Sequence, residues 1–124
     1  MPEPRFPQLL QGRRILVVED EQLIAINLQE ELEARGAKVL GPFSTVAEAT
    51  AFLAHNRLPD AAALDVQLQD ELVYPLAQML DRQGVLIAFV TSGDPRDLPA
   101  AFGHVAYFDK PVDLQELVRL LSLS

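Results

Sequence analysis

The feature that most limits what this chain can fold into is an alternation. From Arg13 onward a short apolar run is followed by a stretch of helical periodicity, five times over. The runs are 15–18, 38–41, 61–64, 85–90 and 105–108. Those at 15–18 and 85–90 are apolar throughout, with no polar residue at alternate positions. A strand of that kind is buried on both faces, as in a parallel sheet. The run at 61–64 is Ala-rich, and its propensity alone favours a helix. Strands that alternate with helices through short loops imply right-handed crossovers and a sheet covered on both sides. The expected class is therefore α/β, a doubly wound five-stranded parallel sheet with helices on both faces.

The helix ends are marked. The first helix is expected over 21–35, with Ile24, Leu28 and Leu32 on one face and Gly36 as its stop. The second opens at Thr45, where Thr45 and Glu48 form a capping-box pattern, and ends near Asn56. The third occupies 72–83 and stops at Gly84; Pro75 belongs in its first turn, because a mid-helix proline costs about 3 kcal/mol. A short fourth is expected near 96–102. The fifth opens with Asp113 and Glu116 as a second capping pattern and carries Leu117, Val118, Leu120 and Leu121. Pro2, Pro4 and Pro7 mark residues 1–12 as an extended arm, expected to dock through Phe6, Leu9 and Leu10. One folded domain over 13–124 follows, as 124 residues allow.

Composition excludes several classes of function. A net charge of −8 opposes general affinity for nucleic acid and for anionic membranes. There is no cysteine, hence no disulfide, thiolate metal site or cysteine nucleophile, and two histidines are too few for a His-rich metal site. No apolar run reaches the roughly 18 residues of a membrane span, and the start lacks the layout of a secretion signal. A cytoplasmic protein is expected.

In an open parallel sheet, ligands bind beyond the carboxyl ends of the strands. Here those ends carry Glu19, Asp20 and Glu21, then Asp65, then Thr91, Ser92 and Gly93, then Asp109, Lys110 and Pro111. Only the second strand ends blandly, in Gly41 and Pro42. If the first and third strands are neighbours, Asp20 and Asp65 lie close with Glu19 beside them. Like charges that close repel unless a cation intervenes. A hard divalent ion resolves the repulsion, and Mg²⁺ takes carboxylates, waters and phosphate oxygens. With Lys110 and the Thr91 hydroxyl added, the set suits a phosphoryl group, and an Asp carboxylate can itself be the nucleophile that forms an acyl phosphate. Each residue alone has a plainer reading: Asp20 as an N-cap, Asp65 as a turn aspartate, 91–95 as a turn, Lys110 as a solvated lysine. Their coincidence at one edge favours the site.

This ordered set resembles the receiver domain of two-component response regulators. The resemblance spans about 13–122 and rests on the opening Ile15, Leu16, Val17, Val18, Glu19, Asp20, Glu21, on Ala63, Leu64 and Asp65, on Val90, Thr91, Ser92 and Gly93, and on Lys110 and Pro111. It implies a flavodoxin-like sheet of order 2-1-3-4-5. It also implies that Asp65 accepts a phosphoryl group from a sensor histidine kinase or phosphotransfer protein. Asp20 and Asp65, with the backbone carbonyl of Gln67, would bind Mg²⁺, and Glu19 would act through water. Thr91 and Lys110 would hold phosphoryl oxygens, Tyr107 would be the switch aromatic partnered with Thr91, and the Lys110–Pro111 bond would be cis. The resemblance implies a phosphoacceptor and not an enzyme, beyond self-catalysed phosphotransfer and autodephosphorylation.

Two departures stand out. The Pro-x-Met-Asp-Gly stretch usual after the acceptor is replaced by residues 67–75, and the fourth helix is short. With Phe89 to Gly93 these features look similar to the FAT GUY branch of single-domain receivers, although Val90, Ser92 and Gly93 break its Phe-Ala-Thr-Gly-aromatic motif. The chain ends with the fifth helix, so the expectation is a stand-alone receiver, monomeric or weakly dimeric. It would signal by phosphotransfer or by contact with a downstream protein. The last helix, strand five and the short fourth helix would form that contact; Phe102, Leu114, Leu117 and Leu121 are apolar there, and most of them are expected to belong to the core. The alternatives are a receiver-like adaptor working without phosphorylation, and a phosphohydrolase of the haloacid-dehalogenase kind. The latter wants a second Asp where Gln67 stands.

Overall fold

A computed structural model describes residues 6–124; the expectation for Pro2 and Pro4 lies outside the described residues. Its elements are β1 (Arg14–Val18), α1 (Gln22–Ala34), β2 (Lys38–Phe43), α2 (Val46–Leu53), β3 (Ala61–Leu64), β4 (Gln67–Leu68), β5 (Glu71–Leu72), α3 (Tyr74–Arg82), β6 (Leu86–Thr91), β7 (Ala106–Asp109) and α4 (Leu114–Leu121). Five strands form one parallel sheet in the order β2-β1-β3-β6-β7. Counting only those five, this is the 2-1-3-4-5 order that the resemblance implies.

The uninterrupted apolar runs are explained by burial on two sides. Successive residues of a strand point to opposite faces. Leu16, Val18, Ala62, Leu64, Ile87 and Phe89 face one cluster, which Leu76, Ala77 and Leu80 of α3 and Ala49 of α2 complete. Ile15, Val17, Ala61, Ala63, Ala88 and Val90 face the other, closed by Leu28 and Leu32 of α1 and by Leu117, Val118 and Leu121 of α4. The Ala-rich run is the central strand β3. It is buried at every position, and pairing on both edges overrides its helical propensity.

Among the described residues four α-helices form where five were expected. The segment near 96–102 holds two 3-10 turns, Pro95–Asp97 and Ala100–Phe102, instead of a helix. Pro99 stands between them; it has no N–H to donate, and an α-helix cannot continue through it. Side-chain contacts hold the segment: the Phe102 ring stacks on Tyr74 at 5.4 Å and meets Phe89 edge-on at 5.5 Å. Pro75 lies in the first turn of α3, as required. The capping patterns are realised too: Thr45 Oγ1 accepts the Glu48 N–H and Asp113 Oδ1 those of Gln115 and Glu116.

The hairpin β4–β5 was not foreseen. It follows Asp65 directly, and Glu71 Oε2 accepts the N–H of Val46 at the start of α2, 3.1 Å away. The arm docks, but through one residue more than the others. Leu10 is fully buried among α1 and α4, whereas Leu9 is half exposed. The Leu10 N–H, the Gly12 N–H and the Gln8 side-chain amide donate to the carbonyls of Arg35, Gly36 and Ala34, which α1 leaves unpaired at its end. Gly36, at φ +95°, turns the chain there, and a Cβ on it would lie 2.9 Å from Gln11 Cα.

Candidate functional site

Because the sheet is parallel, all five strands deliver their carboxyl ends to one edge. The ladder runs on past the strands: the Asp65 N–H donates to Val18 O and the Lys110 N–H to Thr91 O, at 2.9 and 3.1 Å. Glu19, Asp65 and Thr91 are thereby buried polar residues on neighbouring strand ends, at 3, 4 and 3% exposure. The Lys110–Pro111 bond is cis, as the resemblance implies, and so is Gly41–Pro42.

Lys110 is the centre of the cluster. Its Nζ lies 2.8 Å from Glu19 Oε1, 3.0 Å from Glu21 Oε1 and 3.0 Å from Asp65 Oδ2. It donates hydrogen bonds to Glu21 and Asp65. The Glu19 contact is an ion pair without hydrogen-bond alignment, so the enclosed Oε1 has no hydrogen-bond donor among the described residues. The second oxygen of Asp65, Oδ1, accepts the Gln67 N–H at 3.2 Å, and Glu19 Oε2 accepts the Glu21 N–H at 3.1 Å.

The charges do not balance. Three carboxylates whose oxygens lie within 4.8 Å of one another surround one ammonium. Burial, aided by neighbouring Asp65, outweighs the opposing pull of Lys110 and raises Glu19 to about 7. Burial works against the charge on Lys110, yet Glu19, Asp65 and Glu21 together outweigh it and hold the lysine above its ordinary range. An orphaned buried oxygen, an all-oxygen donor set and surplus negative charge together fit a hard divalent cation.

The sequence reading placed Asp20 against Asp65. The structure adds Glu21, whose carboxylate oxygen lies with those of Glu19 and Asp65. Glu21 stands just before α1 with an extended backbone, and its carboxylate reaches Lys110 beside those of Glu19 and Asp65. Asp20 stays at the same edge, half buried. It lines a cavity of about 420 Å³ with Glu19, Pro42, Ser44 and Glu48. The only hint of Glu21 in the sequence was its place as the third acid of a run. Thr91 and Gln67 line a separate cavity of about 250 Å³ with Tyr74, Gly93 and Tyr107. The Tyr107 hydroxyl donates to Gly93 O, which ties the fifth strand of the sheet to the turn after Thr91. Of the four apolar residues expected at a contact surface, Phe102, Leu117 and Leu121 are buried core and Leu114 is half buried.

Comparison with known proteins decides the family. The model of the response regulator receiver domain matches residues 15–122. The chain belongs to that family.

This receiver is 28% identical over 116 residues to the transcriptional regulatory protein PdtaR of Mycobacterium tuberculosis, covering 90% of the chain and 56% of PdtaR. It spans about half the length of the curated relatives it matches. The non-phosphorylated receiver domain of HemR from Leptospira biflexa superposes with a TM-score of 0.75 at 30% identity, covering 91% of this chain and 97% of that one. The BeF3-activated conformation of SdrG from Pseudomonas melonis Fr1 does so with a TM-score of 0.71 at 32% identity, covering 89% and 94%. Among the described residues of this receiver, no helix is long and apolar enough to cross a membrane.

Proposed function

We propose that this receiver accepts a phosphoryl group on Asp65 from the phosphohistidine of a sensor kinase or phosphotransfer protein in the cytoplasm. A carboxylate oxygen of Asp65 forms the new bond to phosphorus, the bond from phosphorus to the imidazole nitrogen breaks, and the histidine leaves neutral after taking up a proton. The product is an acyl phosphate. The observation that supports this most is the buried Asp65 carboxylate with Oδ2 3.0 Å from the Lys110 ammonium. That ammonium is aimed where negative charge grows in transfer, and Thr91 is the hydroxyl within the same edge. Asp20, Asp65 and the Gln67 carbonyl, with Glu19 through water, would hold Mg²⁺, which when bound supplies charge neutralisation for the phosphoryl oxygens. Tyr107 then reports the state of Thr91 through the Gly93 turn, and the signal passes on by contact with a downstream protein or by onward phosphotransfer. The chain is read as a phosphoacceptor and not as a turnover enzyme.

Acetyl phosphate with Mg²⁺, or a histidine kinase, should add one acid-labile phosphate seen by mass spectrometry. Asp65→Asn should abolish the adduct while circular dichroism stays unchanged. A wild-type chain that takes no phosphate from either donor would leave the adaptor reading in its place.

A further inference from the structure

Lys110 has no room for a fourth anionic partner. Its side chain is 11% exposed, and its ammonium is already within 3.0 Å of three carboxylates. Two of its three hydrogens are donated, to Glu21 and Asp65, and Glu19 Oε1 crowds the remaining side at 2.8 Å, so a phosphoryl oxygen arriving on Asp65 reaches the ammonium only where one of these partners gives way. Glu19 and Asp65 are at 2% and 4% side-chain exposure and have no solvent to turn into. Glu21 is 59% exposed, and water can take over its carboxylate at little cost. Among the described residues no other hydrogen bond or ion pair holds that side chain. Glu21 is the N-cap residue of α1, but its carboxylate makes no capping hydrogen bond, while its backbone carbonyl accepts the Ala25 N–H and its N–H is held by Glu19 Oε2. The carboxylate can swing away with the backbone fixed.

We propose that Glu21 is a positioning residue, a placeholder that occupies the phosphoryl position at Lys110 until Asp65 is modified. This deepens the reading of Asp65 as phosphoacceptor and rests on it. In the unmodified protein Glu21 keeps the ammonium aimed at the edge and shields Asp65 from anions. When a tetrahedral anion is bound to Asp65, its oxygen takes the place of Glu21 Oε1 and the glutamate turns to solvent. Every anion that binds therefore competes with Glu21 first.

The test is calorimetric titration with beryllofluoride, a tetrahedral phosphoryl mimic, at saturating Mg²⁺. Glu21→Gln should bind it about two- to five-fold more tightly than wild type, the size of a largely exposed ion pair. Glu21→Asp keeps the charge but shortens the reach, and it should also bind more tightly. Wild-type affinity in Glu21→Asp together with tighter binding in Glu21→Gln would reduce the effect to general repulsion and overturn the placeholder. Unchanged or weaker binding in both variants would overturn it as well. Asp65→Asn should show no uptake. No uptake by wild type would refute the acceptor reading and the placeholder with it, whereas wild-type uptake without the Glu21 effect refutes the placeholder alone.

Discussion

Glu19 is the residue whose replacement tests the electrostatic account most directly. Its carboxyl holds a proton up to about pH 7 in the folded chain, against 4.5 ordinarily, because it is buried beside Asp65. The folded state thus binds more protons than the unfolded state between those values. The sign follows: stability is greatest below about pH 4.5 and is lost as pH rises to about 7. A rise of that size corresponds to about 3 kcal/mol, and water entering the open side of the cleft reduces it to about 1.5–3 kcal/mol. A protonated glutamate and a glutamine have nearly the same shape and are both neutral. Glu19→Gln should therefore stabilise the protein by about 1.5–3 kcal/mol at pH 8.5 and by close to nothing at pH 4.5. The assay is urea denaturation in chelator-treated buffer at the two pH values. Millimolar Mg²⁺ at pH 8.5 should raise the stability of wild type and narrow the gap to the variant. Equal stability of the two proteins at pH 8.5, or a variant less stable there, would refute the claim that Glu19 is held against its own burial.

Other outcomes follow from the same structure. Leu10→Ala should cost about 2–5 kcal/mol in chemical denaturation, since the side chain is fully enclosed between α1 and α4; a loss within about 0.5 kcal/mol would mean the arm is not part of the core. Asp20→Ala should weaken Mg²⁺ binding at least about ten-fold by calorimetry, and an unchanged affinity would move the ligand role to Glu21.

Much of this was written in local pattern. The strands of the sheet declared themselves because burial on both faces removes polar residues from whole runs. The pairing of Asp65 with Lys110 was legible because a parallel sheet collects its strand ends at one edge, and Thr91 stands at the strand end between them. What escaped has a physical reason in each case. The hairpin 67–72 has strands of two residues, too short to show a period. Glu71 caps a helix that begins 25 residues before it, and no local pattern carries that. The two 3-10 turns did have a signal in Pro99, which weighs more than the apolar residues around it. The part of Glu21 follows from its reach to a lysine 89 residues away, which no local pattern expresses.

The docked arm has a practical consequence for anyone cutting or fusing this chain. The family pattern begins at residue 15, yet a core side chain and three hydrogen bonds to the end of α1 come from residues 8–12. The unit that is recognised is shorter than the unit that packs. A boundary drawn at the first would open a leucine-sized hole between the two helices on that face of the sheet. Weakened signalling in such a fragment would then report a loosened scaffold and not a defect at Asp65.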